Sequence, residues 1–284
     1  MSSSFSWSTA ELGSLVSGDH PVRLRYGDTH PGRTSQTPYT TIIALHGIGF
    51  NSNIWSPWLP HLPQDIRLIA LNRRGFGGSS GLHQPQERLV DGTNTESYGR
   101  YLLDLLAFVK YAVKVLKLPG KDTKTGKGGI VLLGWSKGCS YLTSILAMLS
   151  SAEGLPASLG LPLSTFDPYL NTIRSHVTNV ILYEPPGVLF GIPDLERMWD
   201  ESSTLAEQGR DFVHAFLAMV PAEKVHLVHI SVDNMGITGD DLYNGNGKDK
   251  EERETLSNVA FQQIPSFIGL SVIYGEHRHH FYVP

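Results

Sequence analysis

The sequence predicts an α/β fold, a mostly parallel central sheet with helices on both faces. Three observations carry the prediction. Short runs of near-continuous Ile, Val and Leu recur along the chain, as strands buried on both faces require. Amphipathic helical patterns separate them. Residues able to do chemistry, His46, Arg73, Ser136 and Glu184, stand at the carboxyl ends of those runs, where open parallel sheets carry their ligand sites.

The first strand pattern is VRLRYGD at 22–28, followed by a Pro/Gly/Thr turn region and TTIIALHG at 40–47. RLIALN at 67–72 is the third and runs into the glycine-rich RRGFGGSSG. A long helix is expected over about 95–118. Thr93 and Glu96 have capping-box spacing, and Leu102, Leu105, Leu106, Val109, Val113 and Leu116 return at about 3.6 residues per turn. Pro119 and Gly120 mark its end. GIVLLGWS at 129–136 is a further strand, KGCSYLTSILAMLSS the helix after it, and NVILYE at 179–184 the next strand, reached through the Pro/Ser/Gly-rich EGLPASLGLPLSTFDP. Beyond residue 186 come a helix around 211–220, the strand-like KVHLVHIS at 224–231, a glycine-rich loop around 239–247, a helix near EERETLSNVAFQQI, and GLSVIYGEHRHHFYVP.

With 284 residues and 40% apolar side chains the chain can bury one sizeable core, and a single domain over 1–284 is the expectation. A formal charge of −4 gives no broad attraction to nucleic acid or anionic lipid, so neither nucleic acid nor membrane is an expected partner. The densest basic groups, Lys121, Lys124 and Lys127 in one loop and the pair Arg73 and Arg74, read as solvated charge. The single Cys139 excludes an internal disulfide and a cysteine-rich zinc site. The opening MSSSFSWSTAELGSL has neither a basic start nor an apolar core, and no stretch reaches the roughly 18–20 apolar residues that span a bilayer. A soluble, cytoplasmic protein is the default expectation; its oligomeric state is left open.

One stretch concentrates the chemistry. GWSKGCS at 134–140 sets Ser136 between Gly134 and Gly138 where a strand pattern becomes a helix pattern. A serine that attacks a carbonyl must project from such a turn: small neighbours let the backbone approach closely, and the helix start supplies N–H groups. The five-residue pattern arises often by chance, and its placement after GIVLL and before an amphipathic helix is what makes it specific. Together with LHGIGFNSNIW at 45–55 and LNRRGFGGSS at 71–80, it makes the chain from about residue 20 onward resemble the α/β-hydrolase fold superfamily. The first stretch is similar to that family's HG oxyanion loop after the third strand. The second is similar to its D-x-R-G-x-G-x-S segment after the fourth, with Asn72 in place of Asp.

The resemblance implies a cap inserted after strand six, here about 186–222 and at its widest reaching about 265. It also implies roles. Ser136 is the nucleophile, and the oxyanion hole uses the backbone N–H of Lys137 and one from the HG loop, Ile48, with Gly47 shaping the turn. His46 is read as structural, the Lys137 side chain as pointing to solvent, and Cys139 as a small buried hydrophobe. The acid is Glu184, with Asp233 as the competitor and Asp240, Asp241 or no acid as further alternatives. LYEPP resembles fungal lactonases of the zearalenone-degrading type, which place a glutamate acid after the sixth strand, and equally bacterial hydrolases in which EPP leads into the cap. The base comes from GEHRHHFYVP, with His280 and His277 the two candidates ahead of His279. Three histidines within four residues of one loop do not converge easily on one ion, so no metal is expected, and the implied chemistry needs no cofactor.

Two registers fit the tail. In the first, KVHLVHIS is strand seven and GLSVIYG strand eight, which completes a triad but leaves no last helix. In the second, GLSVIYGEH is strand seven, 188–265 form the cap, the eighth strand with its histidine is absent, and the tail histidines are loop polar groups. The first is preferred because it uses KVHLVHIS in the sheet. Apolar residues of the cap region, Trp199 foremost as a substrate contact, suit a small to mid-sized hydrophobic ester or lactone. Acyl transfer, lyase or isomerase chemistry and plain ligand binding are the alternatives on this fold.

Overall fold

A computed structural model of the chain describes residues 4–33, 39–47, 50–81, 95–122, 128–150, 161–185 and 268–273, with the backbone alone at 95–97. Its centre is a seven-stranded sheet in the order β1-β2-β4-β3-β5-β6-β7. The strands are β1 (Ser6–Gly13), β2 (Val22–Asp28), β3 (Thr40–Leu45), β4 (Ile66–Leu71), β5 (Ile130–Trp135), β6 (Val177–Tyr183) and β7 (Gly269–Ile273). β1 and β2 form an antiparallel edge, β2 joins β4 antiparallel, and from β4 through β7 every pairing is parallel. The helices are α1 (Thr95–Lys114), α2 (Lys137–Ser150) and α3 (Asp167–His176).

The central strands are near-continuously apolar because both of their faces are covered. On one face Ile43, Leu45, Ile69, Leu71 and Leu132 join α1, α2 and α3 through Leu102, Leu106, Phe108, Leu142, Ile145 and Ile173. On the other, Ala44, Leu68, Ala70 and Leu133 meet Trp55 and Leu59 of a 3-10 segment, Ser52–His61. Among the described residues the α-helices therefore share one face, and the 3-10 segment takes the other. Asn51 starts that segment by accepting the Asn53 N–H at 2.9 Å, and Pro57 and Pro60 keep it from becoming an α-helix.

Strand order decides between the two registers of the tail. Gly269–Ile273 pairs directly with β6, from Asn179↔Gly269 to Tyr183↔Ile273. The seventh place therefore belongs to GLSVI, and the preferred register, with KVHLVHIS in that place, is corrected. KVHLVHIS itself lies outside the described residues, as does most of the connection between β6 and β7, including the expected cap. β7 is less covered than its neighbours, with Val272 40% and Ile273 45% exposed.

Arg73 and Arg74 are buried, not solvated as expected. Arg74 makes a two-pronged pair with Asp104 of α1, at 2.9 Å from Nε and 2.7 Å from Nη2. Arg67 pairs likewise with Asp28, at 3.0 and 2.6 Å, and donates to the Tyr39 hydroxyl at 3.2 Å. A third pair joins Arg100 of α1 to Asp19, at 2.6 Å. Among the described residues no helix is long and apolar enough to cross a membrane.

Candidate active site

β5 ends at Trp135, α2 begins at Lys137, and Ser136 between them has φ +50°. That left-handed conformation costs a non-glycine residue roughly 1–2 kcal/mol, and it persists only where the surroundings enforce it. Here the enforcement is visible on both sides. The Ser136 N–H donates to Tyr183 O of β6 at 3.1 Å, and Ser136 O accepts the Cys139 N–H of the first α2 turn at 2.9 Å.

The glycines around the serine are required by contact. A Cβ at Gly134 would lie 2.7 Å from the carbonyl carbon of Gly138, and one at Gly138 would lie 2.9 Å from Leu45 O. A Cβ at Gly47 would come within 3.1 Å of Ser136 Cβ and 3.2 Å of the Trp135 ring. The HG loop, the end of β3 and the start of α2 therefore close on one another around Ser136. Gly47 sits against Ser136, and the first amides of α2 begin at Lys137. Ile48 lies outside the described residues.

The Lys137 side chain is buried, which corrects the expectation that it points to solvent. Its ammonium stands 6.0 Å from the centre of the Tyr98 ring, which stacks on Tyr141 at 5.3 Å. Cys139 is fully buried, as expected, with its thiol donating to Gly134 O at 3.1 Å, and burial pushes that thiol far above its ordinary range.

His46 is committed to the loop. Gly47 O accepts only, so the contact at 2.9 Å places a proton on His46 Nδ1, and Nε2 then accepts the Arg73 N–H at 3.2 Å. Asn72 explains the departure from the family's aspartate. Its Oδ1 accepts from the Ser52 N–H at 2.7 Å and its Nδ2 donates to Gly77 O at 3.0 Å; an aspartate could make the first bond but not the second.

Glu184 ends β6 much as Ser136 ends β5. Its φ is +46°, and its N–H donates to Ile273 O of β7 at 2.7 Å. Oε2 accepts the Trp135 indole N–H at 3.2 Å. Partial burial, and after it the Glu184 charge, raise the neighbouring Tyr183 phenol. Two non-glycine residues in the left-handed region thus stand on adjacent strand ends, one a hydroxyl and the other a carboxylate. The contacts of Trp135 and Tyr141 were missed in reading the sequence, and Arg73 was placed at a strand end but read as solvated.

His277, His279, His280, Asp233, Asp240, Asp241 and Trp199 lie outside the described residues. Among the described residues no three His, Cys, Asp or Glu side chains are grouped as ligands for a metal ion.

Residues 42–257, most of the chain, match the family model described as the alpha/beta hydrolase family. The chain belongs to this family. Alpha/beta hydrolases are largely hydrolytic enzymes, and the seven-stranded, mostly parallel sheet found here agrees with that fold. Among solved structures, the chain is similar to a bromoperoxidase from Bacillus anthracis at 15% identity, covering 95% of this chain and 91% of that one, with a TM-score of 0.50. It is similar also to a thermophilic esterase from Thermogutta terrifontis at 14% identity, over 94% and 90% of the two chains, with a TM-score of 0.48. At these identities the likeness is one of fold alone. The sequence matches no curated protein.

Proposed function

We propose that this alpha/beta hydrolase is a serine hydrolase, cleaving a carboxylic ester or lactone of a small to mid-sized hydrophobic molecule through an acyl-enzyme. The observation that carries the reading is Ser136 held at φ +50° on the elbow with Gly47 in contact behind it. Backbone strain of this kind clusters at active sites, which supports a functional reading of Ser136. In the proposed mechanism Ser136 Oγ bonds to the carbonyl carbon as its proton passes to the base, and the oxyanion is met by the backbone N–H groups of Lys137 and Ile48. Its collapse breaks the ester C–O bond, and the alcohol takes that proton, staying tethered to the acyl group if the substrate is a lactone. Water then attacks the acyl carbon, the acid is released, and Oγ regains a proton through the base. No step calls for a metal or cofactor. Resemblance to fungal lactonases with an acid after the sixth strand supports Glu184 as the acid and makes a lactone a candidate substrate. Trp199, in a cap formed by about 186–222, is the proposed substrate contact in a single cytoplasmic domain, with neither nucleic acid nor membrane as a partner.

The base is His280 or His277. Chain reach supports this even with GLSVI in the seventh place. Ile273 is level with Tyr183, which is level with Trp135, so two interstrand spacings, about 10 Å, separate β7 from the elbow. His277 follows Ile273 by four residues, and four residues extend to about 14 Å; His280 follows by seven and reaches further. An imidazole on this short tether would take the Ser136 proton on one nitrogen and give its other N–H to Glu184. Trp135 holds Oε2, and a carboxylate has a second oxygen for that bond.

The test is incubation with a fluorophosphonate and short p-nitrophenyl esters, followed by intact mass. One adduct lost in Ser136→Ala, with ester turnover lost alongside it, is the expected result. A folded protein with neither label nor turnover would falsify the proposal. That outcome favours the second reading, a catalytically impaired binder or a non-hydrolytic relative such as an acyl transferase, lyase or isomerase. The observation on its side is the strand order, which gives GLSVI the seventh place.

A further inference from the structure

We infer that Arg73 is a positioning residue for the oxyanion side of the elbow. It occupies the freely chosen second position of the D-x-R-G-x-G-x-S-like segment, next to Arg74, which is taken up by Asp104. Arg73 is buried, and its guanidinium meets neutral groups. Nη2 donates to Gly47 O at 2.9 Å, Nη1 donates to the Tyr141 hydroxyl at 3.3 Å, and the plane lies 4.7 Å from the centre of the Phe76 ring and 5.6 Å from that of Tyr141. Its own backbone N–H holds His46 Nε2, whose Nδ1–H is the second donor to Gly47 O.

Two donors thus hold Gly47 O between Arg73 and His46, and with it the glycine at which a Cβ would come within 3.1 Å of Ser136 Cβ. The guanidinium makes one of these a charge-assisted bond, stronger than a neutral pair, so the loop is held firmly where it faces the hydroxyl. Through Tyr141 the same side chain is tied to α2, and Tyr141 stacks on Tyr98, over which the Lys137 ammonium stands. One arginine thus spaces the HG loop from the helix that begins beside Ser136.

This inference rests on the serine hydrolase reading, and its test separates the two. Arg73→Met keeps the apolar stem, Arg73→Lys keeps the charge, and Tyr141→Phe removes only the phenol oxygen. Hydrogen exchange of peptides spanning residues 43–52 reads the loop directly, while p-nitrophenyl butyrate turnover and fluorophosphonate labelling read the chemistry. Arg73→Met is expected to speed exchange in that stretch about tenfold and to lower kcat and labelling rate about 10- to 100-fold, with KM within about twofold. Arg73→Lys recovers most of both, and Tyr141→Phe, the variant to use should Arg73→Met not fold, moves both the same way by a smaller factor. Unchanged exchange and unchanged kcat in a folded Arg73→Met or Tyr141→Phe protein overturns the inference. Faster loop exchange in a protein whose wild type is neither labelled nor active sinks hydrolysis while upholding the clamp.

Discussion

At Gly138 a single methyl group has nowhere to go. Its Cβ would stand 2.9 Å from a main-chain oxygen, Leu45 O, and backbone cannot swing aside as a side chain can. Gly138→Ala is expected to destabilise the fold by about 1–3 kcal/mol, read as a melting temperature several degrees lower, and to reduce fluorophosphonate labelling of Ser136 more than stability alone explains. Cys139, one residue on, gives a second check. With its thiol fully buried and pushed up by burial, iodoacetamide at pH 8 is expected to leave it unmodified in the folded protein and to alkylate it once urea unfolds the chain. Ser136 and its glycines were legible in the sequence because the elbow is local: spacing, strand and helix pattern all fall within a dozen residues. Arg73, Arg74 and Lys137 were misread as solvated for the opposite reason. What shelters them, Gly47 O, Asp104, Tyr141 and Tyr98, stands far along the chain, and charge alone argues for the surface.

At the scale of elements, β5 and β6 end in matching bends, and each bend is held by the strand beyond it: Ser136 N–H by Tyr183 O, Glu184 N–H by Ile273 O. The indole of Trp135 crosses between them to Glu184. Glu184→Gln keeps the shape but removes the charge that would stabilise an imidazolium, so the acylation rate is expected to fall by orders of magnitude with the melting temperature nearly unchanged. Asp233→Asn serves as the comparison; loss of activity there and not in Glu184→Gln would transfer the role of acid. The sequence disclosed β2 through β6 within a residue or two, because their apolar runs are dense. It did not disclose β1, an edge strand in which only Ala10 is buried, nor α3, whose Pro168 opens a first turn but reads in isolation as part of a Pro-rich loop. The neighbour of β6 was unreadable from periodicity, since two apolar runs qualified and only pairing distinguishes them.

Across the molecule, two buried arginine–aspartate pairs and one part-buried pair among the described residues join parts distant in sequence: β2 with β4, the turn after β4 with α1, and, part-buried, α1 with the loop before β2. Removing one partner strands the other charge in the interior. Asp104→Ala is expected to lower the free energy of unfolding by about 3–5 kcal/mol, measured by urea denaturation, and to loosen the turn in which Arg73 sits. The latch between Glu184 and Ile273 has a further meaning for how the protein is made. A nascent chain emerging from the ribosome already carries the serine, its glycines and the carboxylate long before β7 is translated. Until that strand docks, Glu184 lacks the Ile273 carbonyl that holds its bend, so the seat of this carboxylate is completed late in synthesis, after the other described strands are free to form.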